Sequence, residues 1–243
     1  MAFDELDSTN AALIRMVEQG VEVSENLLLW AKSQTAGRGR QGRTWVSPPG
    51  NVYGSYLLAA PENKAAAPEL GFVAAVAVYD TIMDLPRHNT EPPPLQCKWP
   101  NDILLDGGKV SGILPEMVTD PEGRTWIVLG IGINLDSMPT EGAMYPATAL
   151  ILHHIDTRPE HALTVLSRAL MFWLDKWRTE GFGAIRQAWL ERGPKEGAPM
   201  SVGLPSGAVE GAFAGLDAGG ALLLDTPTGQ RKILAGDVLF RAS

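Results

Sequence analysis

The chain has 243 residues, enough for one substantial domain and a small one, and its 45% hydrophobic and 20% charged composition is that of an ordinary globular protein. No run approaches the roughly 18 uninterrupted apolar residues of a membrane span, and the acidic start MAFDELDSTN does not read as a signal peptide, so a cytoplasmic protein without a membrane partner is expected. The net charge of −8 gives no global attraction to nucleic acid, and the single cysteine, Cys97, excludes an internal disulfide or a cysteine-built zinc site.

Residues 8–20 predict a helix, capped by Ser8, Thr9 or Asn10, with Ala12, Leu13, Met16 and Val17 on one face. Leu27 to Ala31 reads as a buried strand. Lys32 to Asn51 is rich in Gly, Arg, Ser and Pro and reads as a long loop. Within it Lys32, Arg38, Arg40 and Arg43 fall in a stretch without any acid, a local anion-binding candidate in an acidic chain. Val52 to Ala60 predicts a strand, Leu70 to Met83 an apolar helix, Glu91 to Pro94 a turn, and Leu95 to Trp99 a strand entering Pro100. Asp102 to Leu105 and Lys109 to Met117 flank Asp106-Gly107-Gly108, a hairpin turn sequence. Trp126 to Asn134 predicts another strand, and Pro159–Arg178 and Phe182–Glu191 predict helices. Beyond Arg192 the texture changes to Gly, Pro and short β-like runs at Met200–Val202, Val209–Gly215, Ala221–Asp225, Arg231–Leu234 and Val238–Arg241. That spacing predicts a small β-barrel, with a boundary near residues 192–198.

Three blocks carry chemistry. Gly37 to Arg43, GRGRQGR, matches the dinucleotide pattern G-x-G-x-x-G, but a dinucleotide turn opens a helix directly after its strand, and Thr44-Trp45-Val46-Ser47-Pro48-Pro49 cannot continue as one. The loop reads instead as a flexible flap whose cations close over a polyanion. The second block is KWPNDILLDGGKVSGIL, Lys98 to Leu114, in which a hairpin separates Lys98 from Lys109 so that both can approach one site. Gly112 weakens its strand unless a ligand or backbone must come close. The third block is GIGINL, Gly130 to Leu135, which leads to Asn134, a side chain able to read an adenine edge with donor and acceptor together.

Together with DSTN (Asp7–Asn10), SQTAGRGRQGRTW (Ser33–Trp45), SPPGN (Ser47–Asn51) and ATAL (Ala147–Leu150), these blocks resemble the catalytic domain of biotin–protein ligases over roughly residues 4–150. The β-rich tail resembles, more weakly, that family's SH3-like C-terminal domain. The resemblance implies an α+β protein: a mixed β-sheet with helices on one face, of the class II synthetase-like, biotin–lipoate ligase type, over 1–192, then an SH3-like barrel over 193–243. It implies two half-reactions. The biotin carboxylate first attacks the α-phosphate of ATP to give biotinyl-5′-AMP and pyrophosphate. The ε-amine of a lysine on a biotin carboxyl carrier domain then attacks the mixed anhydride.

Matching positions place Ser8, Thr9, Asn10, Gln34, Gly37, Arg38, Lys109 and Gly112 around biotin. They place Arg38, Arg40, Arg43, Trp45, Asn101, Lys109 and Asn134 around ATP and the adenylate. Lys109 suits the charge that bridges carboxylate and α-phosphate, with Arg40 assisting. Asp102 is either a base for the incoming lysine or a turn-stabilising carboxylate. Mg²⁺ accompanies the outer phosphates, with no side-chain ligand assigned. Some family members carry an N-terminal winged-helix domain and act as repressors. Here DSTN begins at residue 7, so an enzyme that does not bind DNA is expected, and family members often pair as homodimers. Two alternative readings stand beside this one. A lipoate–protein ligase has the same fold but a different binding loop, and a noncatalytic biotin or nucleotide sensor would not need Lys109.

Overall fold

The computed structural model describes residues 1–88, 91, 93–139, 146–205 and 207–240. The chain runs β1 (Ala2–Leu6), α1 (Thr9–Glu18), β2 (Leu28–Gln34), β3 (Val52–Ala59), α2 (Glu69–Asp84), β4 (Leu95–Lys98), β5 (Asp102–Leu105), β6 (Gly108–Thr119), β7 (Thr125–Ile133), α3 (Pro159–Glu180) and α4 (Phe182–Arg192). It closes with β8 (Pro199–Leu204), β9 (Gly207–Leu216), β10 (Leu222–Thr226), β11 (Gly229–Ile233) and β12 (Asp237–Phe240).

The first seven strands form one sheet in the order β1-β2-β3-β7-β6-β5-β4. Only β1 and β2 pair in parallel, and every other neighbour is antiparallel, so the sheet is mixed. Alternate residues of a strand face opposite sides, and the sequence uses both sides. Tyr56, Leu58, Ile127, Leu129, Ile131 and Ile133 point into a large core with α2, α3 and α4. Leu57 and Val128 point the other way and meet Leu13 and Val17 of α1. The expectation of helices on one face therefore holds for three helices, while α1 covers part of the opposite face. The remainder of that face is left for the site.

β1 was not expected. Its sequence, AFDEL, alternates poorly because it is a largely exposed edge strand. β2 runs three residues beyond the expected end, to Gln34. The predicted hairpin at Asp106-Gly107 is present, and both residues have positive φ (50° and 75°), as a tight hairpin turn requires. The turn expected at Glu91–Pro94 includes Pro92, which lies outside the described residues, as does Arg241 at the end of the last expected strand. Segment Lys64–Asp84 is long and apolar enough by composition to cross a membrane, but Val73 to Val78 of α2 are fully buried in the core.

The last five strands form an antiparallel sheet in the order β11-β10-β9-β8-β12. This five-stranded sheet agrees with the expected small SH3-like unit, and among the described residues β11 and β12 are its two edges, so no closed barrel is formed by strand pairing. This sheet shares the core of the helices. Phe72 of α2 stacks edge-on with Phe182 at 5.5 Å and Trp189 at 5.8 Å, both on α4, and Trp189 lies 6.4 Å from Phe213 of β9. Trp99 Nε1 donates to the carbonyl of Gly220 at 2.9 Å.

Candidate active site

A cavity of about 750 Å³ opens on the face of the first sheet that α1 leaves uncovered. Its floor lacks side chains. Gly112 of β6 and Gly132 of β7 are directly paired across the sheet, and Gly130 lies two residues away on the same face. A Cβ at Gly132 would come within 2.7 Å of the Trp45 ring and one at Gly112 within 2.9 Å. The glycines are therefore a condition for Trp45 to lie flat on the sheet. Trp45 Nε1 is buried there with no hydrogen-bond partner among the described residues, a donor available to a ligand.

The segment expected as a free loop is a folded flap. Trp45 N–H donates to the Gly37 carbonyl at 2.9 Å and Gly39 N–H to the Arg43 carbonyl at 2.7 Å. Short bridges join Arg38 to Thr44 and Gln34 to Ser47. At its tip Arg40–Gly42 makes one 3-10 turn, in which Gln41 and Gly42 have positive φ (55° and 72°). Gly37 does not line the cavity. A Cβ there would meet Ser47 Oγ at 2.6 Å, so a glycine is what lets the two limbs of the flap close on each other.

The three flap arginines reach the cavity and each has an anchor. Arg38 Nη2 donates to Glu116 Oε1 at 2.7 Å, Arg40 Nη1 to Asn101 Oδ1 at 2.9 Å, and Arg43 Nη2 to Asp237 Oδ1 at 2.9 Å. Asp237 belongs to β12, so the second sheet contributes to the wall of the first sheet's cavity. Sequence reading assigned no site residue beyond Asn134. Nothing local distinguishes Asp237, because its partner is 194 positions away.

Lys109 owes its direction to an irregularity. Ile103 pairs with Ser111 and Leu104 with Lys109, so Val110 is an extra residue on β6, a bulge. Strict alternation would send Lys109 to the face opposite Gly112. The bulge returns it to the site face, where Nζ lies 2.6 Å from Asp102 Oδ1 and 5.4 Å from the Trp45 ring centroid. The other Asp102 oxygen meets Lys98 Nζ at 3.3 Å. Lys98 is buried behind the wall, and that burial pushes its pKa down against the pull of Asp102. It does not line the cavity.

At the α1 end, Ser8 caps the helix by accepting from Ala11 N–H at 3.4 Å. Gln34 Oε1 accepts from Thr9 N–H at 2.8 Å, and Gln34 Nε2 donates to Ser47 Oγ at 2.8 Å. Asn10 Nδ2 donates to the Leu114 carbonyl at 3.1 Å. Asn101 Nδ2 donates to the Ile113 carbonyl at 2.5 Å, and Asn134 Nδ2 to the Thr148 carbonyl at 3.0 Å. Ser8, Thr9, Asn10, Gln34, Arg38, Arg40, Arg43, Trp45, Asn101, Asp102, Lys109, Gly112 and Asn134 all border the one cavity. Tyr53 also borders it. Its hydroxyl donates to the Pro48 carbonyl at 2.7 Å, and burial pushes its pKa up.

The family model described as Biotin/lipoate A/B protein ligase family matches residues 4–134, and that described as Biotin protein ligase C terminal domain matches residues 199–241.

The chain belongs to the biotin/lipoate A/B protein ligase family.

Within that family it is 39% identical to the biotin–[acetyl-CoA-carboxylase] ligase of Paracoccus denitrificans, over 96% of this chain and 97% of that protein. It is 33% identical to the bifunctional ligase/repressor BirA of Bacillus subtilis, over 88% of this chain and 66% of that protein. The structure of the biotin protein ligase from Aquifex aeolicus in complex with biotin and ATP superposes with a TM-score of 0.81 at 29% identity, covering 100% of this chain and 98% of that one. The expected ligase fold, including the weakly signalled C-terminal unit, is thus the observed one.

Proposed function

We propose that this member of the ligase family is a biotin–protein ligase: it activates biotin with ATP and transfers it to a lysine of a biotin carboxyl carrier domain. The observation that carries the reading is the convergence of three flap arginines and Lys109 on one glycine-floored cavity. A carboxylate cannot approach a triphosphate unless cations offset the repulsion, and this wall supplies them from two elements, the flap and β6. The volume suits a small organic substrate and a nucleotide together.

In this reading the ends of the site divide the work. Ser8, Thr9, Asn10, Gln34 and Arg38 hold biotin, Gly112 leaves room beside it for the Trp45 ring and the Lys109 side chain, and Trp45, Asn101 and Asn134 hold the adenosine. In the first step a carboxylate oxygen of biotin bonds to the α-phosphorus and pyrophosphate leaves. Lys109, with Arg40, stabilises the charge that moves between them. In the second step the acceptor amine bonds to the acyl carbon, AMP leaves and the amine loses a proton. Asp102 places one carboxylate oxygen against each of two ammonium groups, those of Lys98 and Lys109. That favours Asp102 as the anchor that aims Lys109 over Asp102 as the base.

Mg²⁺ fits as a companion of the nucleotide. Asp102 and Asp237 are the carboxylates on the wall, and both are ion-paired. Among the described residues no cluster of three or more metal-ligating groups exists. The ion would supply charge neutralisation at the outer phosphates.

The reading extends to residues 1–192 as the catalytic unit and 193–243 as an accessory unit, to a cytoplasmic location in keeping with one buried free thiol, and to a homodimer formed along a sheet edge such as β1. Sedimentation reports on the dimer. The deciding assay supplies ATP, Mg²⁺ and either biotin or lipoate, and measures pyrophosphate release and label on an apo carrier domain. Biotin-dependent release with transfer is expected. Lipoate-dependent release would move the chain to the lipoate ligases, and binding without release would make it a sensor.

A further inference from the structure

Glu116 is not on the cavity wall, yet two wall groups from different elements end on it. It sits on β6 beyond Gly112 and Leu114 and shares their face of the sheet. Its Oε1 accepts from Arg38 Nη2 at 2.7 Å, and its Oε2 accepts from Asn10 Nδ2 at 2.8 Å. Asn10 is held from its other side by the fully buried Ser55, whose hydroxyl donates to Asn10 Oδ1 at 2.5 Å. The flap and the first turn of α1 are therefore tied together by one carboxylate behind the wall.

We propose that Glu116 is a positioning residue for the carboxylate-bearing substrate, aiming Arg38 and Asn10 into the cavity. The proposal rests on biotin being that substrate. A stability role explains the contact poorly. The Arg38 side chain is 48% exposed, and an ion pair of that exposure contributes little to folding. What it does is restrict a long side chain that otherwise samples many rotamers. A guanidinium has five donors in a fixed fork, so one N–H engaged by Glu116 leaves others for an incoming carboxylate. Without Glu116 the substrate itself must order Arg38, and that cost appears in binding before it appears in chemistry.

The test is a double-mutant cycle on the full chain, with Glu116→Ala, Arg38→Ala and the pair, read as biotin KM, ATP KM and kcat for pyrophosphate release. Glu116→Ala is expected to raise biotin KM by about tenfold, the usual weight of a charge-assisted contact, with ATP KM and kcat nearly unchanged. Adding Glu116→Ala to Arg38→Ala should raise biotin KM much less than it does in the wild-type background, since only the Asn10 contact is then left to lose. Glu116→Gln keeps the acceptor for Asn10 and loses the charge, so it should fall between wild type and Glu116→Ala. It also decides the matter if Glu116→Ala proves unstable. Unchanged biotin KM in either single variant, or fully additive losses in the pair, would overturn the proposal. If the wild-type chain releases no pyrophosphate with biotin, the functional reading fails instead, and the two failures are distinguishable.

Discussion

Lys109 and Asp102 show how much a single side chain depends on its backbone. The extra residue Val110 turns Lys109 onto the site face, and the Asp102 carboxylate then holds its ammonium at 2.6 Å. Preorganised charge of this kind acts on the transition state because it need not be reoriented during reaction. Lys109→Ala should leave the fold intact and lower adenylate synthesis by roughly a hundredfold to a thousandfold. Single-turnover formation of biotinyl-AMP measures it, and near-normal rates in a folded variant would remove Lys109 from the chemistry. Gly132 makes the complementary point. Its Cβ position lies 2.7 Å from the Trp45 ring, so Gly132→Val should displace Trp45 from the floor. Nucleotide affinity should fall by at least about tenfold, as for other misplaced binding groups. Titration of Trp fluorescence with ATP in the presence of biotin reads this out.

At the scale of elements, the flap and α1 carry opposite kinds of order. The flap is pinned by its own backbone bonds and by arginines that reach Glu116, Asn101 and Asp237 outside it, so opening it breaks contacts at its tip rather than a packed core. Arg40→Gly removes the contact to Asn101 and adds a flexible residue at the tip. This variant should still form the adenylate but release it faster and label bystander lysines. The dissociation rate of preformed biotinyl-AMP and labelling of an unrelated protein are the two measurements. An unchanged rate would mean that the walls retain the intermediate without the flap. The start of α1 is held instead by charge. Arg15 pairs with Asp7 at 2.7 Å and pulls the carboxyl down to about 2. A carboxyl lowered in the folded state stabilises the fold above its ordinary pKa of 3.8, and the contribution is lost as pH falls through about 2. Both side chains are about half exposed, so the amount is under about 1 kcal/mol. Asp7→Asn should therefore lower stability slightly at pH 7, and the difference should vanish near pH 2 in denaturant titrations.

Over the whole molecule, the two sheets do not behave as beads on a string. Phe72, Phe182, Trp189 and Phe213 interlock across α2, α4 and β9, and Asp237 of β12 grips Arg43 of the flap. A continuous core unfolds as a unit, so a single thermal transition is expected. Trp189 is fully buried, and Trp189→Ala should cost about 3–5 kcal/mol, with activity lost at the same temperature as the fold. Two separate calorimetric transitions would show that the second sheet is only loosely attached.

The class of reaction and most of the elements are legible in the amino-acid sequence alone. Hydrophobic periodicity placed all four α-helices to within a few residues, and the Asp106-Gly107 turn placed its hairpin, because both are local properties of the chain. The DSTN, SQTAGRGRQGRTW, KWPND, KVSGIL and GIGINL blocks named thirteen side chains or glycines that border the cavity, because each block is contiguous. The tertiary structure decided the rest. β1 is a largely exposed edge with no pattern to announce it, held by the parallel pairing with β2 and by Phe3 and Leu6 packed against the cluster under α1. Gly37 proved to be a close-packing position inside the flap. Glu116, Ser55 and Asp237 acquire roles only from partners 78, 45 and 194 positions away. Such pairings depend on which faces the sheets turn toward each other, and no property of a short stretch of chain encodes that.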